Sequence, residues 1–167
     1  SRRLSVFTRE PEDNILRWDN TPADYGNAMI LGEYLVGRYG RVILSDTLKS
    51  KLIGAASINA WLAGRGEREK FSEVVNDWAV ASAINLPGDS RYGYVNTDLV
   101  GSLVAPGIRQ SLRSEDHFVT VVDSEPWQSS WHEFVFPDGL SGGAARFKLG
   151  NANPGHSRSG LACAILP

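Results

Sequence analysis

The spacing of hydrophobic residues along this chain changes near Gly88, and that change indicates the fold class. Before Gly88, apolar residues recur every three or four positions, which is the period of a helix with one buried face. After it, short apolar runs lie between clusters of Gly, Pro, Asn and Ser, as strands do between turns. We therefore expect an α+β chain: a bundle of about four short helices in residues 1–88, then an antiparallel β-rich unit in residues 89–167.

The first and fourth helices have the clearest signals. Thr21 and Pro22 are a typical N-cap and first-turn residue, and Gly40 can adopt the left-handed conformation that ends a helix. The fourth helix is expected from Phe71 to Ser82. Its apolar stripe includes Trp78, and most of its polar residues, among them Asp77, are expected on the other face. A second helix is expected in residues 41–52 and a third from an N-cap at Ser57 to the glycines at 64 and 66.

The first helix contains three glycines, Gly26, Gly32 and Gly37. Each costs a helix about 1 kcal/mol relative to alanine. Three such costs in one helix predict that another element packs closely against its backbone.

Four short runs in the second half have strand character. In one of them, Phe134 and Phe136 alternate with Glu133 and Val135, as side chains do on the two faces of a strand. The expected strands cover residues 119–122, 132–136, 144–149 and 161–166, with turns at 138–139, 142–143 and 153–155.

Charge and composition narrow the classes of partner. Lys and Arg total 17 against 19 Asp and Glu, so no excess of cations is available for a phosphate backbone, and we expect no nucleic-acid partner. No apolar run approaches the roughly 20 residues of a membrane-spanning helix, so we expect no membrane span. Cys163 is the only cysteine, which excludes an intrachain disulfide and predicts a small buried side chain.

The histidines do not form a metal motif. His117, His132 and His156 are dispersed, and Trp131-His132-Glu133 begins like H-E-x-x-H but ends on Phe136 where the second histidine should be. We therefore predict no metal ligands in this chain. Ser141 lies in a glycine-rich segment that only partly matches a nucleophile elbow, and a hairpin turn is the simpler interpretation.

Two of the five tryptophans are candidates for ligand binding. Trp61 and Trp78 fall on apolar helix stripes and are expected in the core. Trp127 and Trp131 flank a polar stretch, where exposed rings could form a platform for a ligand. The alternative is that both rings fold over the edge of the sheet.

Residues 18–86 also contain a spaced pattern of aromatic residues and glycines. It consists of Asp24-Tyr25-Gly26-Asn27-Ala28, Glu33-Tyr34-Leu35, Arg38-Tyr39-Gly40, Phe71 and Asn76-Asp77-Trp78-Ala79-Val80-Ala81. This pattern resembles the helical subdomain of hyicolysin-like zinc metallopeptidases, a secreted family of gluzincin type. The resemblance implies a secreted or cell-envelope protein and a peptide or protein substrate.

In that family the zinc-binding H-E-x-x-H and the glutamate ligand precede the tyrosine-glycine segment, and this sequence contains neither. The resemblance therefore implies a chain that begins after the zinc ligands, or a degenerate relative without them, with zinc required only in the intact enzyme. It also implies a role for Tyr25, because related gluzincins use a downstream tyrosine to donate a hydrogen bond to the tetrahedral intermediate. The alternative for Tyr25 is an aromatic anchor of the first helical turn.

Three functions follow from these observations. The leading hypothesis is a non-catalytic fragment or C-terminal region of a zinc metallopeptidase that completes the wall of the substrate cleft. The second is a non-catalytic binding module whose β-rich half recognises a peptide, glycan or protein through exposed aromatic residues. The third is an independent hydrolase whose catalytic residues are not neighbours in the sequence.

Overall fold

The computed structural model describes residues 2–105, 108–111 and 127–135. Helices dominate this part of the chain, which confirms the expected helical first half. The elements are α1 (Arg2–Phe7), α2 (Pro22–Tyr39), α3 (Val42–Lys49), α4 (Gly54–Gly64), α5 (Phe71–Ile84), β1 (Ile108–Ser111) and β2 (His132–Val135).

The two strongest helix predictions are confirmed. The Thr21 hydroxyl caps α2 by accepting a hydrogen bond from the Asp24 N–H at 3.4 Å, and Gly40 follows the last turn with φ of 81°. α5 begins at Phe71 as expected and ends where Asn85 adopts a left-handed conformation. Asparagine tolerates that conformation better than most residues, so it replaces the usual glycine stop.

Two helices differ from the sequence expectation. α1 was not expected, because six residues give too short a pattern to show a helical period. α4 begins at Gly54, so the N-cap predicted at Ser57 is wrong. The Ser57 hydroxyl instead donates to the Thr47 carbonyl at 3.2 Å and joins the start of α4 to the end of α3.

One hydrophobic core joins the helices to the segment that follows them. Trp78, Tyr34 and Phe7 are its largest fully buried side chains, and Phe7 lies against Trp78 with ring centroids 5.9 Å apart. The burial of Trp78 agrees with its predicted place in the core, whereas Trp61 is only partly buried. Beyond α5, the same core includes Tyr94, Leu99, Leu103 and Val104.

Hydrogen bonds hold residues 85–104 against the helices. The Asn85 side chain donates to the carbonyls of Leu99 and Gly101 at 2.7 and 3.0 Å, and its carbonyl oxygen accepts from the Tyr94 N–H at 3.0 Å. The Leu103 N–H donates to the Ser82 carbonyl at 2.8 Å. The packing of the helical region therefore continues past Gly88 to Val104.

The described strands form one parallel pair, with Ile108 opposite His132 and Ser111 opposite Val135. Arg109 and Glu133 also face each other across this pair and form an ion pair of 3.1 Å. β2 matches the strand expected at 132–136, whereas β1 was not expected and the pairing is parallel rather than antiparallel. The other expected strands and turns lie outside the described residues, as do His117, His156, Ser141 and Cys163.

An almost buried ion network connects α2 to α5. Arg38 donates to the Asp77 carboxylate at 2.8 Å and to Glu69 at 2.6 Å, and Arg91 donates to Asp77 at 2.8 Å. The expectation that Asp77 lies on the exposed face of its helix is therefore wrong. A residue pattern shows the period of a helix but not the cation that another helix brings to a buried carboxylate.

Two tyrosines complete this network. The Tyr34 hydroxyl donates to the Arg91 carbonyl at 2.8 Å and accepts from Arg38 at 2.7 Å, while Tyr39 hydrogen-bonds to Glu69. Burial raises the pKa of Tyr34, and burial together with the Glu69 carboxylate raises the pKa of Tyr39. Burial opposes the charge of Arg38, but the hydrogen bond to Asp77 and the interactions with Tyr34 and Tyr39 together outweigh it and raise the pKa of the guanidinium. Tyr34, Tyr39 and Arg38 therefore keep their usual charge states near neutral pH.

The glycines of α2 show where other elements approach its backbone. A Cβ at Gly26 would lie 3.0 Å from the backbone nitrogen of Phe7 and 3.1 Å from the carbonyl of Arg3, so α1 packs directly on this position. At Gly37 the neighbour is the Val95 side chain at 3.3 Å. Around Gly32 no atom of another described element lies within 4 Å of the added Cβ. Close packing is thus confirmed at two of the three glycines.

This difference predicts opposite effects of the same substitution. Gly32→Ala should raise the free energy of unfolding by about 1 kcal/mol, because alanine is the better helix former and has room. Gly26→Ala should lower it, because the methyl group would push α1 away from α2. Urea denaturation of both variants measures the two signs. Equal effects at the two positions would contradict the close contact of α1 with α2.

The ion network predicts a large effect at Arg38. Arg38→Met should lower the free energy of unfolding by about 3–5 kcal/mol, because it leaves two carboxylates with little solvent and one cation fewer. The control is Asp19→Asn, which breaks the exposed 2.7 Å pair of Arg17 and Asp19. That change should cost less than about 1 kcal/mol. Similar losses in both variants would mean that burial adds nothing to the Arg38 contacts.

Candidate functional site

A pair of exposed aromatic rings lies at the start of α2. Trp18 and Tyr25 meet edge to face with ring centroids 4.9 Å apart. Trp18 is 56% exposed and Tyr25 is 41% exposed, so neither ring belongs to the core. With Arg3 and Asn20, these residues form what we call the Tyr25 site.

The Tyr25 side chain is held from two directions. Its hydroxyl donates to Asn20 Oδ1 at 2.9 Å, and the Arg3 guanidinium lies 5.6 Å from the centre of its ring. Asn20 has a φ of 61°, a left-handed conformation that asparagine adopts more readily than most residues. The phenol is therefore oriented at the surface by a polar partner and a cation.

The turn beneath this site is fixed by a reciprocal cap. Asp24 accepts hydrogen bonds from the Thr21 N–H at 2.6 Å and from the Thr21 hydroxyl at 2.9 Å. Burial opposes ionisation of Asp24, but these hydrogen bonds outweigh it and hold its pKa below the usual value. Tyr25 directly follows Asp24, so the cap fixes the position of the backbone that carries the phenol.

A second carboxylate lies near this cap with an unsatisfied oxygen. Asp13 is half-buried, and its Oδ2 has no hydrogen-bond partner among the described residues. Burial and the negative charge of Asp24 raise the pKa of Asp13. The two neighbouring carboxyl groups therefore have pKa values shifted in opposite directions.

The chemistry of the Tyr25 site follows from its hydroxyl. A neutral phenol can give its hydrogen to an oxygen of a ligand in place of Asn20, and the Arg3 guanidinium favours negative charge nearby. The described residues contain no group of three or more His, Cys, Asp or Glu side chains that could hold a metal ion. The Tyr25 hydroxyl and the Arg3 guanidinium suit hydrogen bonding to an anionic oxygen.

The structure places the other two predicted binding residues in a different cluster. Trp127 stacks on Phe71 of α5 with centroids 5.7 Å apart, and the Trp131 indole donates to the Ala79 carbonyl at 2.8 Å. Both rings are half-buried against the helical core. Their role in ligand binding remains a prediction, and the described contacts do not bring them to Tyr25.

His132 lies on β2 beside the other half-buried residues of that strand. Its Nε2 is 3.4 Å from the Ser130 hydroxyl, and its Nδ1 is buried without a hydrogen-bond partner in the described part of the chain. Within the described residues, no carboxylate or second imidazole forms a hydrogen bond or ion pair with this histidine. It therefore has the environment of a structural side chain.

An open hollow between α3 and α4 is the other surface feature near aromatic groups. The Trp61 indole donates to Asp46 at 3.0 Å, and the Arg65 guanidinium lies 4.9 Å over the Trp61 ring. These polar groups satisfy one another, so the hollow offers a ligand less than the Tyr25 site does. Its lining is Val42, Asp46, Ala60, Trp61, Gly64 and Arg65.

The sequence indicates Tyr25 as a candidate but gives no expectation for its three neighbours in the site. Asn20 lies just before a Thr-Pro helix start, and asparagine is favoured in turns because it tolerates the left-handed conformation. This local signal could have indicated Asn20. Arg3 had no such signal, because only the packing of α1 on Gly26 brings it to α2.

Comparison with protein-family models, with curated proteins and with solved structures found no match. None of the helices in the described residues combines the length and the apolar character that crossing a membrane requires.

The opposite pKa shifts of Asp13 and Asp24 predict that one substitution, at Asp13, raises stability in a pH-dependent way. The folded pKa of Asp13 is raised, so its ionised form destabilises the fold above that pKa. Asp13→Asn should therefore raise the free energy of unfolding at pH 7, by less than about 1 kcal/mol because the group is partly solvated. The gain should shrink as the pH falls from the raised folded pKa towards the ordinary aspartate value of 3.8, and it should be absent below that value.

Asp89 is the control with the opposite sign. Hydrogen bonds from the Tyr92 and Arg91 N–H groups lower its pKa, so Asp89→Asn should reduce stability at pH 7. Thermal unfolding across the acidic pH range measures both variants. A loss of stability at pH 7 in Asp13→Asn would show that its ionised carboxylate stabilises the fold.

Proposed function

We propose that this chain forms the helical lobe of a gluzincin-type zinc metallopeptidase and completes one wall of its substrate cleft. In this proposal Tyr25 donates a hydrogen bond to the oxyanion of the tetrahedral intermediate, and a β-rich, partly antiparallel unit follows the lobe. The observation that carries the proposal is the position of the Tyr25 hydroxyl, which is at the surface and oriented by Asn20.

The exposure of Tyr25 favours this role over that of a helix anchor. A residue that anchors a helix gains its stabilising energy by burying its ring, as Tyr34 does in the next turns of α2. Tyr25 instead packs against Trp18, which is itself exposed. A preorganised donor is worth most where a negative charge develops away from bulk water, as in a cleft closed by a second lobe.

The residues that carry the resemblance to hyicolysin-like peptidases contact one another in the folded chain. Arg38 and Tyr39 come from one part of the pattern and Asp77 from another, and they meet in one ion network. The pattern thus corresponds to a single packed unit. A scaffold for one wall of a cleft would require such a unit.

In this proposal the zinc ligands lie outside the described residues. Among the described residues there is no group of three or more His, Cys, Asp or Glu side chains that could hold a metal ion. When bound in the intact enzyme, zinc would polarise the scissile carbonyl and activate a water molecule. The residues of this chain would shape the cleft and supply one hydrogen-bond donor. The proposed substrate is a peptide or protein, and the proposed location is outside the cell or in its envelope.

The alternative function, a binding module based on Trp127 and Trp131, has less support. One face of Trp127 is covered by Phe71, and the Trp131 indole is used by the Ala79 carbonyl. These contacts suit residues that fasten the segment to the helical core. They leave less aromatic surface for a ligand than the Trp18 and Tyr25 pair does.

The test is Tyr25→Phe in the protein that contains this chain together with its zinc ligands. The substitution should leave the melting temperature nearly unchanged, because the ring and its contact with Trp18 remain. It should lower kcat by about 10²–10³, the usual loss for one oxyanion donor. KM should change less, because the bond forms mainly in the transition state.

Tyr92→Phe is the matched control. Tyr92 also has an arginine guanidinium over its ring, at 5.1 Å, but it follows α5 and lies outside the Tyr25 site. Removing the Tyr92 hydroxyl should leave kcat unchanged. Full turnover in Tyr25→Phe would remove Tyr25 from the mechanism, and a complete gene without H-E-x-x-H would contradict the peptidase function itself.

A further inference from the structure

The end of α3 and the turn that leads to α4 each expose one large apolar side chain almost completely. Leu48 is 86% exposed and Ile53 is 87% exposed, although both are residues that proteins usually bury. Leu52 beside them is also exposed, and two lysines, Lys49 and Lys51, lie between them in the sequence. We call these five residues the α3–α4 tip.

The tip has a defined backbone. The Leu52 N–H donates to the Ser50 hydroxyl at 3.0 Å, and the Ser57 hydroxyl of α4 donates to the Thr47 carbonyl of α3 at 3.2 Å. Gly54 supplies the left-handed φ of 55° from which α4 starts. The apolar side chains are therefore presented by a fixed turn, and presenting them costs little additional ordering.

The charge of the tip is positive, and no ion pair with a described residue neutralises it. Neither Lys49 nor Lys51 takes part in an ion pair with another described residue. The nearest acidic residue in the sequence, Asp46, accepts the hydrogen bond of the Trp61 indole. The tip thus combines protruding apolar groups with two available cations.

We propose that the α3–α4 tip inserts its apolar side chains into the surface of an anionic lipid membrane. Leu48 and Ile53 would enter the boundary between headgroups and acyl chains, and the lysines would remain among the negative headgroups. This binding requires no helix that crosses the membrane. It is independent of the peptidase function and rests on different residues.

Charge favours a lipid surface over a second copy of the chain. A symmetric dimer formed through the tip would bring the same two lysines of both copies together, and like charges at close range oppose association. Anionic headgroups complement the same lysines. A protruding turn also suits a deformable lipid surface, which can close around side chains without a preformed pocket.

Vesicle co-sedimentation of the complete 167-residue chain tests the proposal. The chain should pellet with vesicles of phosphatidylcholine and phosphatidylglycerol, and much less with phosphatidylcholine alone. Added salt should weaken the binding, because it screens the lysines. Lys49→Gln with Lys51→Gln should weaken it by about fivefold for each lysine.

Leu48→Ser with Ile53→Ser should abolish co-sedimentation without changing the circular dichroism melting curve, because both side chains are exposed in the folded chain. Val100→Ser is the matched control. Val100 is 76% exposed, but its neighbourhood contains Asp98 rather than lysines. That variant should bind vesicles like the unchanged chain.

Three results would overturn the proposal. The first is no binding of the unchanged chain to anionic vesicles at low salt. The second is binding that the double serine variant retains. The third is a dimer without vesicles that the double serine substitution dissociates, since this would assign the tip to contact between copies of the chain.

Discussion

The ion pair of Arg38 and Asp77 is the contact on which the helical region depends. It joins α2 to α5, the two longest helices, at a place where both charges are largely removed from water. Such charges are costly unless every hydrogen-bonding group has a partner. Glu69, Arg91 and two tyrosines supply those partners, so the loop before α5 and the segment after it are positioned by the same requirement.

This network gives a physical meaning to the pattern that resembles a metallopeptidase lobe. Tyr34, Arg38 and Asp77 come from separate parts of the pattern and meet across two helices. The Tyr25 site lies elsewhere, at the first turn of α2, where the hydroxyl is exposed and the helix is capped by Thr21. A functional phenol there could change without disturbing the buried charges that hold the helices together.

The two proposed surfaces use different physical properties of the chain. At the Tyr25 site a polar group is oriented by Asn20 and Arg3, which suits the stabilisation of a developing negative charge. At the α3–α4 tip apolar side chains protrude beside two lysines that form no ion pair with a described residue, which suits an anionic interface. A protease lobe attached to a membrane surface would combine both, although each property can be tested alone.

The sequence by itself determined the elements whose signals are local. The cap at Thr21, the stop at Gly40 and the buried stripe of Trp78 depend on neighbours within a few turns, and the structure confirms them. Only the tertiary structure decided that Asp77 is buried and that Asn20 and Arg3 contact Tyr25. It also decided that α1 packs against Gly26, whereas no other described element packs against Gly32. Those facts depend on residues that are distant along the chain, and packing between elements, rather than any local period, brings such residues together.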